Sequence, residues 1–186
     1  LEKLELLNPE DSKFIAFVQK KKISIEKNIK MLYLGAATGT TVSIFSKIIP
    51  NGVIYAVEFS WKPMRQLVSI SEELDNVIPL FFDANKPKEY KKYVELVDFI
   101  YEDISQKNQI EIANKNAELF LKNEGLILIM LKTKSIDSTR NPNAIASEEI
   151  RKLDTKFNIL DVIRLDPLYK DHIAIMARYN HKKRVI

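Results

Sequence analysis

The amino-acid sequence predicts an α/β protein built on a seven-stranded sheet, six strands parallel and the last antiparallel, with helices on both faces. Three observations predict it. Short β-rich apolar runs alternate with amphipathic stretches rich in Lys and Glu, the alternation of a parallel sheet with crossover helices. The central runs, such as Val97, Asp98, Phe99, Ile100 and Tyr101, are apolar without a two-residue period, as strands covered on both faces are. The last two runs are joined only by 166–171, too short for a parallel crossover, so the seventh strand runs antiparallel.

Strands are expected over 31–34, 53–57, 77–82, 96–102, 125–131, 157–165 and 172–177. Helices fall between them, near 11–21, 41–48, 62–74, 87–93, 106–121 and 145–156. Pro79 interrupts the third strand and cannot donate to a ladder, which puts that strand at the sheet edge. Phe14 and Phe17 face inward from the first helix, and Tyr33, Tyr55, Phe81 and Phe82 are core positions in strands. Neither an internal repeat nor a linker divides the chain, so 1–186 is expected to form a single domain.

A chain of 186 residues buries about 70% of its unfolded surface, enough for a large core. With 46% hydrophobic and 29% charged residues the composition is that of an ordinary globular protein. The apolar runs are all far shorter than the roughly 20 residues of a membrane-spanning helix. There are no cysteines, which excludes disulfides, thiolate catalysis and cysteine-bound zinc. His172 and His181 are the only imidazoles, few for a transition-metal site. The net charge of +4 leans weakly towards an anionic partner. Lys20, Lys21 and Lys22, and the tail His181, Lys182, Lys183 and Arg184, read as solvated ends or as phosphate contacts. No signal-peptide pattern is present, and the protein is expected inside the cell.

After the first strand comes Leu34, Gly35, Ala36, Ala37, Thr38, Gly39, Thr40 and Thr41, leading directly into a helix. Small residues let the backbone pass close to a ligand, and the helix start presents free N–H groups. In a doubly wound sheet ligands lie outside the carboxyl ends of the strands, at such a turn. The pattern G-x-G-x-x-G is not met, because Ala36 and Ala37 stand where the close second glycine would be, so a dehydrogenase is the weakest reading. Glu58 ends the second strand, where a carboxylate accepts from both hydroxyls of a ribose; Asp83 ends the third and Asp103 the fourth. Any one of these acids reads as a helix cap or loop charge. Three at successive strand ends suit a nucleoside whose hydroxyls and amine are donors, attached to a cation, as in S-adenosylmethionine.

The sequence resembles the fibrillarin family of RNA 2′-O-methyltransferases in its archaeal form. The matching stretches are Leu32 to Ser43 (LYLGAATGTTVS), Tyr55 to Ser60 (YAVEFS), Asp83-Ala84, Val97-Asp98 with Asp103 and Gln106, Lys132, Ile136 to Thr139 (IDST), and Lys170-Asp171-His172. They occur in family order and cover nearly the whole chain. The resemblance implies a class I methyltransferase, Rossmann-like fold using S-adenosylmethionine. It implies Gly35, Ala36, Thr40 and Thr41 around the methionine end, Glu58 and Phe59 at ribose and adenine, Asp83 and Ala84 beside the adenine, and Asp103 with Gln106 near the sulfonium. It further implies a catalytic tetrad of Lys13, Asp103, Lys132 and His172. Its partners would be a Nop-domain scaffold protein, a kink-turn-binding ribosomal-type protein, box C/D guide RNA and target RNA, in the cytoplasm of an archaeon. Two features depart from the family pattern. Leu7 stands for a tryptophan and Asp11 for an arginine in the segment before Lys13, and the family's usual N-terminal β-rich subdomain is expected to be absent or reduced to 1–7.

Methyl transfer from a sulfonium to a hydroxyl is an in-line displacement, and the hydroxyl is a poor nucleophile until its proton is drawn away. Lys132, at the end of the fifth strand, is expected to take or steer that proton. Asp103 would orient it electrostatically, while Lys13 and His172 position the ribose and a nearby phosphate. The competing readings are a non-catalytic cofactor-binding subunit of the same particle and a protein-glutamine methyltransferase. Trp61, opening a helix beside the turn, would cover the ligand or anchor a partner.

Overall fold

A computed structural model describes residues 7–153 and 155–181. The tail residues Lys182, Lys183 and Arg184, residue 154 and positions 1–6 lie outside the described residues. Seven strands form one sheet: β1 (Lys30–Leu34), β2 (Val53–Glu58), β3 (Val77–Phe81), β4 (Val97–Glu102), β5 (Leu121–Lys132), β6 (Phe157–Arg164) and β7 (His172–Tyr179). Their order across the sheet is β3-β2-β1-β4-β5-β7-β6. The pairs β1–β2, β1–β4, β2–β3 and β4–β5 are parallel, and β7 is antiparallel to both β5 and β6. Six strands therefore share one direction and β7 is reversed, as the short 166–171 connection requires. Pro79 lies in β3 at the outer edge, where its missing N–H costs no ladder bond.

The helices are α1 (Lys13–Lys20), α2 (Thr40–Ile48), α3 (Trp61–Ser71), α4 (Pro87–Tyr90), α5 (Gln109–Phe120), α6 (Thr133–Ile136) and α7 (Pro142–Lys152). Two apolar clusters lie on the two faces of the sheet. Phe14 and Phe17 of α1, Val42 and Phe45 of α2 and Met64 and Leu67 of α3 pack against Met31, Tyr33, Phe99 and Tyr101. Tyr90 of α4, Ile112 and Ala113 of α5 and Ala146 of α7 pack against Leu32, Leu34, Ile100 and Ile129. The central strands are buried on both sides, while the edge strand β6 alternates between exposed and partly buried positions. That contrast is what apolar and alternating sequence runs encode.

Several boundaries differ from the sequence reading. The fifth helix begins at Gln109 rather than 106, which leaves Gln106 in the loop after β4. The fifth strand begins at Leu121, directly off that helix, and its register with β4 shifts between Val97 and Phe99 opposite a Glu124 with φ 63°. The last helix begins at Pro142, behind an Asn141 cap that accepts from Asn143 N–H at 2.8 Å. The helix α6, one turn long, was not expected. Lys20 donates to the Asp166 carbonyl at 2.8 Å and Lys21 pairs with Asp161 at 3.0 Å, so both tie α1 to the β6 side of the sheet.

One buried group opposes the fold. Glu102 is fully buried at the end of β4, opposite Leu34 and Ile129, and neither carboxyl oxygen has a partner among the described residues. Burial first, and the neighbouring Asp103 charge second, push its carboxyl well above the ordinary range. The folded protein therefore keeps a proton that the unfolded chain releases near pH 4.5. Stability from this source is full below that pH and is lost as pH rises. The isosteric Glu102→Gln is expected to raise the unfolding free energy by about 1–3 kcal/mol at about pH 8 and to change it little at about pH 4, read by chemical denaturation.

Candidate active site

Strands β1 to β4 end on one edge of the sheet, where a cleft of about 300 Å³ opens. Gly35, Glu58, Phe59, Asp83, Ala84, Asp103 and Gln106 all line it. Gly35 has φ +81°, and a Cβ there would lie 2.6 Å from the Asp103 carbonyl oxygen. Only glycine lets the first turn pass this close to the end of β4, and Asp103 N–H donates to Leu34 O at 3.0 Å across the same seam.

Each acid in the cleft shapes its own loop. Glu58 is 7% exposed; one oxygen accepts from Ala37 N–H at 3.0 Å and the other from Ser60 N–H at 2.7 Å. It thereby draws the turns after β1 and β2 together, and each oxygen keeps acceptor capacity for a further donor. One Asp83 oxygen accepts from Asn85, from its N–H at 2.8 Å and its side-chain amide at 3.1 Å. The Asn85 amide also donates to Gln106 Oε1 at 2.9 Å, and Asn85 Oδ1 accepts from Asn108 at 2.6 Å. Phe59 is 58% exposed at the cleft.

Three of the cofactor residues named from the resemblance, Ala36, Thr40 and Thr41, lie in the turn after β1 but not in the lining of this cleft. Ala36 is buried in the core on the α1–α3 side, with its N–H bonded to Val57 O at 3.0 Å. Thr40 lines a shallow depression with Gln66 and Ser69. Thr41 Oγ1 bonds Ser12 Oγ at 3.0 Å, which ties α2 to the start of α1. Trp61 is exposed and meets Phe81 edge-on at 6.1 Å, outside the cleft lining.

A second cluster adjoins the cleft through Asp103. Ser12 caps α1 by accepting from Phe14 N–H at 3.2 Å, which sets Lys13 as the first helical residue. The Lys13 ammonium donates to both oxygens of Asp103, at 2.9 and 2.8 Å. Asp103 thus pairs with Lys13, and among the described residues no bond joins it to Lys132. Lys132 ends β5 and His172 opens β7, and the two are direct cross-strand neighbours. The Lys132 ammonium has no carboxylate partner among the described residues. His172 Nδ1 lies 3.0 Å from the Lys170 carbonyl. A carbonyl only accepts, so the neutral ring carries its proton on Nδ1 and leaves Nε2 as an acceptor.

The His172 pKa lies below its ordinary 6.5, chiefly through burial, with Lys13 and Lys132 lowering it further and the Lys170 carbonyl and Asp103 opposing them. His172 therefore lies within electrostatic reach of Lys13, Asp103 and Lys132, from distant parts of the chain. Three contributors were not read from the sequence. Ser12 and Asn85 carry ordinary cap and Asx-turn signals, and Tyr169, whose ring centroid lies 5.7 Å from Lys13 Nζ, has no local signature.

A family model described as Fibrillarin matches residues 2–181 of the chain. The chain belongs to the fibrillarin family. It is 46% identical over 170 residues to a fibrillarin-like rRNA/tRNA 2′-O-methyltransferase of Archaeoglobus fulgidus, covering 91% of this chain and 81% of that protein. Fibrillarin from a fibrillarin/Nop5p complex superposes with a TM-score of 0.89 at 45% identity, covering 92% of this chain and 82% of that one. Aeropyrum pernix fibrillarin, solved with natively bound S-adenosyl-L-methionine, gives a TM-score of 0.83 at 40% identity, covering 91% of this chain and 76% of that one.

The electrostatic coupling has a measurable consequence. Asp103 is the carboxylate that raises the His172 pKa, so the isosteric Asp103→Asn is expected to drop the imidazole midpoint further below 6.5, measured by NMR titration. An unchanged midpoint would show that the two side chains are not coupled.

Proposed function

We propose that this protein transfers a methyl group from S-adenosylmethionine to a ribose 2′-hydroxyl of RNA, rRNA or tRNA, at sites chosen by box C/D guide RNA. It would act inside the cell, in a ribonucleoprotein with a Nop-domain scaffold protein and a kink-turn-binding protein. The observation that carries the reading is the position of Asp103, which lines the cleft on one side and grips Lys13 on the other.

The cleft fits a sulfonium nucleoside by its donor set. Glu58 offers remaining acceptor capacity to ribose hydroxyls, Asp83 offers the same to an exocyclic amine, and the exposed ring of Phe59 suits an adenine ring. The acid-rich lining suits a cation and opposes a pyrophosphate. When bound, S-adenosylmethionine supplies an electrophilic methyl group. The protein's part is alignment and proton management. Holding the nucleophile in line with the methyl group can supply on the order of 7–11 kcal/mol. Lys132, which has no carboxylate partner among the described residues, would take the hydroxyl proton as the neutral amine or steer it electrostatically as the ammonium. His172 Nε2 accepts from a ribose hydroxyl, and Lys13, with its charge balanced by Asp103, lies nearby to meet a phosphate. The modest net charge of +4 suits an enzyme whose target is chosen by base pairing, because contacts to ribose and backbone carry no sequence information.

The test is transfer of labelled methyl groups to a guide-matched RNA, with and without scaffold protein. Label in the RNA with the full assembly supports the reading; cofactor binding with no transfer under any assembly points to a structural subunit, and label on protein glutamine to the third reading. Lys132→Ala is expected to abolish transfer and leave cofactor affinity nearly intact. Glu58→Ala is expected to weaken cofactor binding by about 1–3 kcal/mol, since it removes acceptors for the ligand and releases two loop N–H groups. Equal loss of affinity in both variants contradicts this division of roles.

A further inference from the structure

Tyr169 stands on the turn between β6 and β7, three residues before His172, and no motif drew attention to it. Its hydroxyl donates to the Glu10 carbonyl at 2.7 Å. Glu10 belongs to a short 3-10 turn, Pro9–Asp11, that leads into the Ser12 cap and Lys13. The Tyr169 ring lies under the Lys13 ammonium, 5.7 Å from Nζ to the centroid. The same ring meets the His172 imidazole edge-on at 6.1 Å. The turn that carries it is itself held, with Tyr169 N–H bonded to Leu165 O at 3.1 Å and His172 N–H bonded to Tyr169 O at 3.2 Å. One side chain therefore touches the segment before Lys13, the Lys13 charge and the His172 ring.

We propose that Tyr169 is a positioning residue that holds Lys13 and His172 in one fixed geometry beside Asp103. The proposal rests on the reading of Lys13 and His172 as parts of the transfer site. Without Tyr169 the Lys13 ammonium would be held only by Asp103, on a side chain with four rotatable bonds. The ring supplies a second, differently directed hold, a cation–π contact that favours one position of the charge. Its edge-on contact with the imidazole at 6.1 Å puts an apolar ring on one side of His172, where water would otherwise stand. The groups facing His172 are Lys13 from α1, Asp103 from the loop after β4, Lys132 from β5 and the Lys170 carbonyl of its own turn. Its neighbour Asp171 is paired with Lys134 at 2.7 Å. Loss of the ring admits water and lets Lys13 move away, and both changes raise the His172 pKa.

The test compares Tyr169→Ala with Tyr169→Phe, which keeps the ring and loses only the bond to Glu10. Tyr169→Ala is expected to lower kcat for guide-directed methyl transfer about tenfold to a hundredfold, while cofactor Kd stays within about twofold and Tyr169→Phe keeps kcat within about threefold. The His172 imidazole midpoint, followed by NMR, is expected to rise in Tyr169→Ala and to stay in place in Tyr169→Phe. Circular dichroism checks folding, and Tyr169→Leu, which keeps more apolar volume, replaces the alanine variant if that one does not fold. An unmoved midpoint with unchanged kcat in the alanine variant overturns the proposal, as does a Tyr169→Phe variant as damaged as Tyr169→Ala. If the unaltered protein transfers no methyl group, the catalytic reading fails, and the His172 midpoints still decide the role of Tyr169.

Discussion

The ion pair between Lys13 and Asp103 is the interaction on which the rest of the site depends. It joins a helix start and a strand end 90 residues apart in the chain. A lysine in the first turn of a helix opposes the helix dipole, a penalty of about 0.3–1 kcal/mol. Two charge-assisted hydrogen bonds to one carboxylate, with the two side chains only 21% and 16% exposed, outweigh it at about 1.5–3 kcal/mol for such bonds. The pair is wet enough to avoid the desolvation cost of a fully buried one. Its partners are fixed from both sides: Gly35 brings the first turn against the Asp103 backbone, and Ser12 caps the helix that carries Lys13.

The acids at the strand ends perform two tasks at once. Read singly, Glu58 and Asp83 are loop-ordering residues, and the structure bears that out: Glu58 collects two N–H groups and Asp83 folds the turn at Asn85. A carboxylate has about four lone-pair sites, so two neutral donors leave room for a ligand. The carboxylates that build the loops also line the cleft. This shared use makes the cleft rigid before anything binds, and rigidity lowers the entropy that binding must offset.

Much of this architecture was legible in the chain itself. The apolar runs gave away the buried strands, Pro79 its edge position, and 166–171 the reversed last strand, because each rests on a steric or hydrogen-bonding rule that acts locally. The cleft acids were legible because strand ends in a parallel sheet share an edge. Side-chain direction was not legible: within the turn after β1, Ala36 packs into the core, Thr40 lines a neighbouring depression and Thr41 bonds Ser12. The Lys13–Asp103 pairing and the contacts of Tyr169 were equally hidden, since they depend on how α1 and the β6–β7 turn pack across the sheet end. The burial of Glu102 carries no local signal either, because whether an acid at a strand end faces the core or the cleft depends on how the helices pack over the sheet.

The account stands most directly on whether Lys13 and Asp103 act as one unit. A double-mutant cycle of Lys13→Ala, Asp103→Ala and the double variant, read on unfolding free energy, measures this. The account predicts a coupling of about 1–3 kcal/mol, and losses that add within about 0.5 kcal/mol would contradict it.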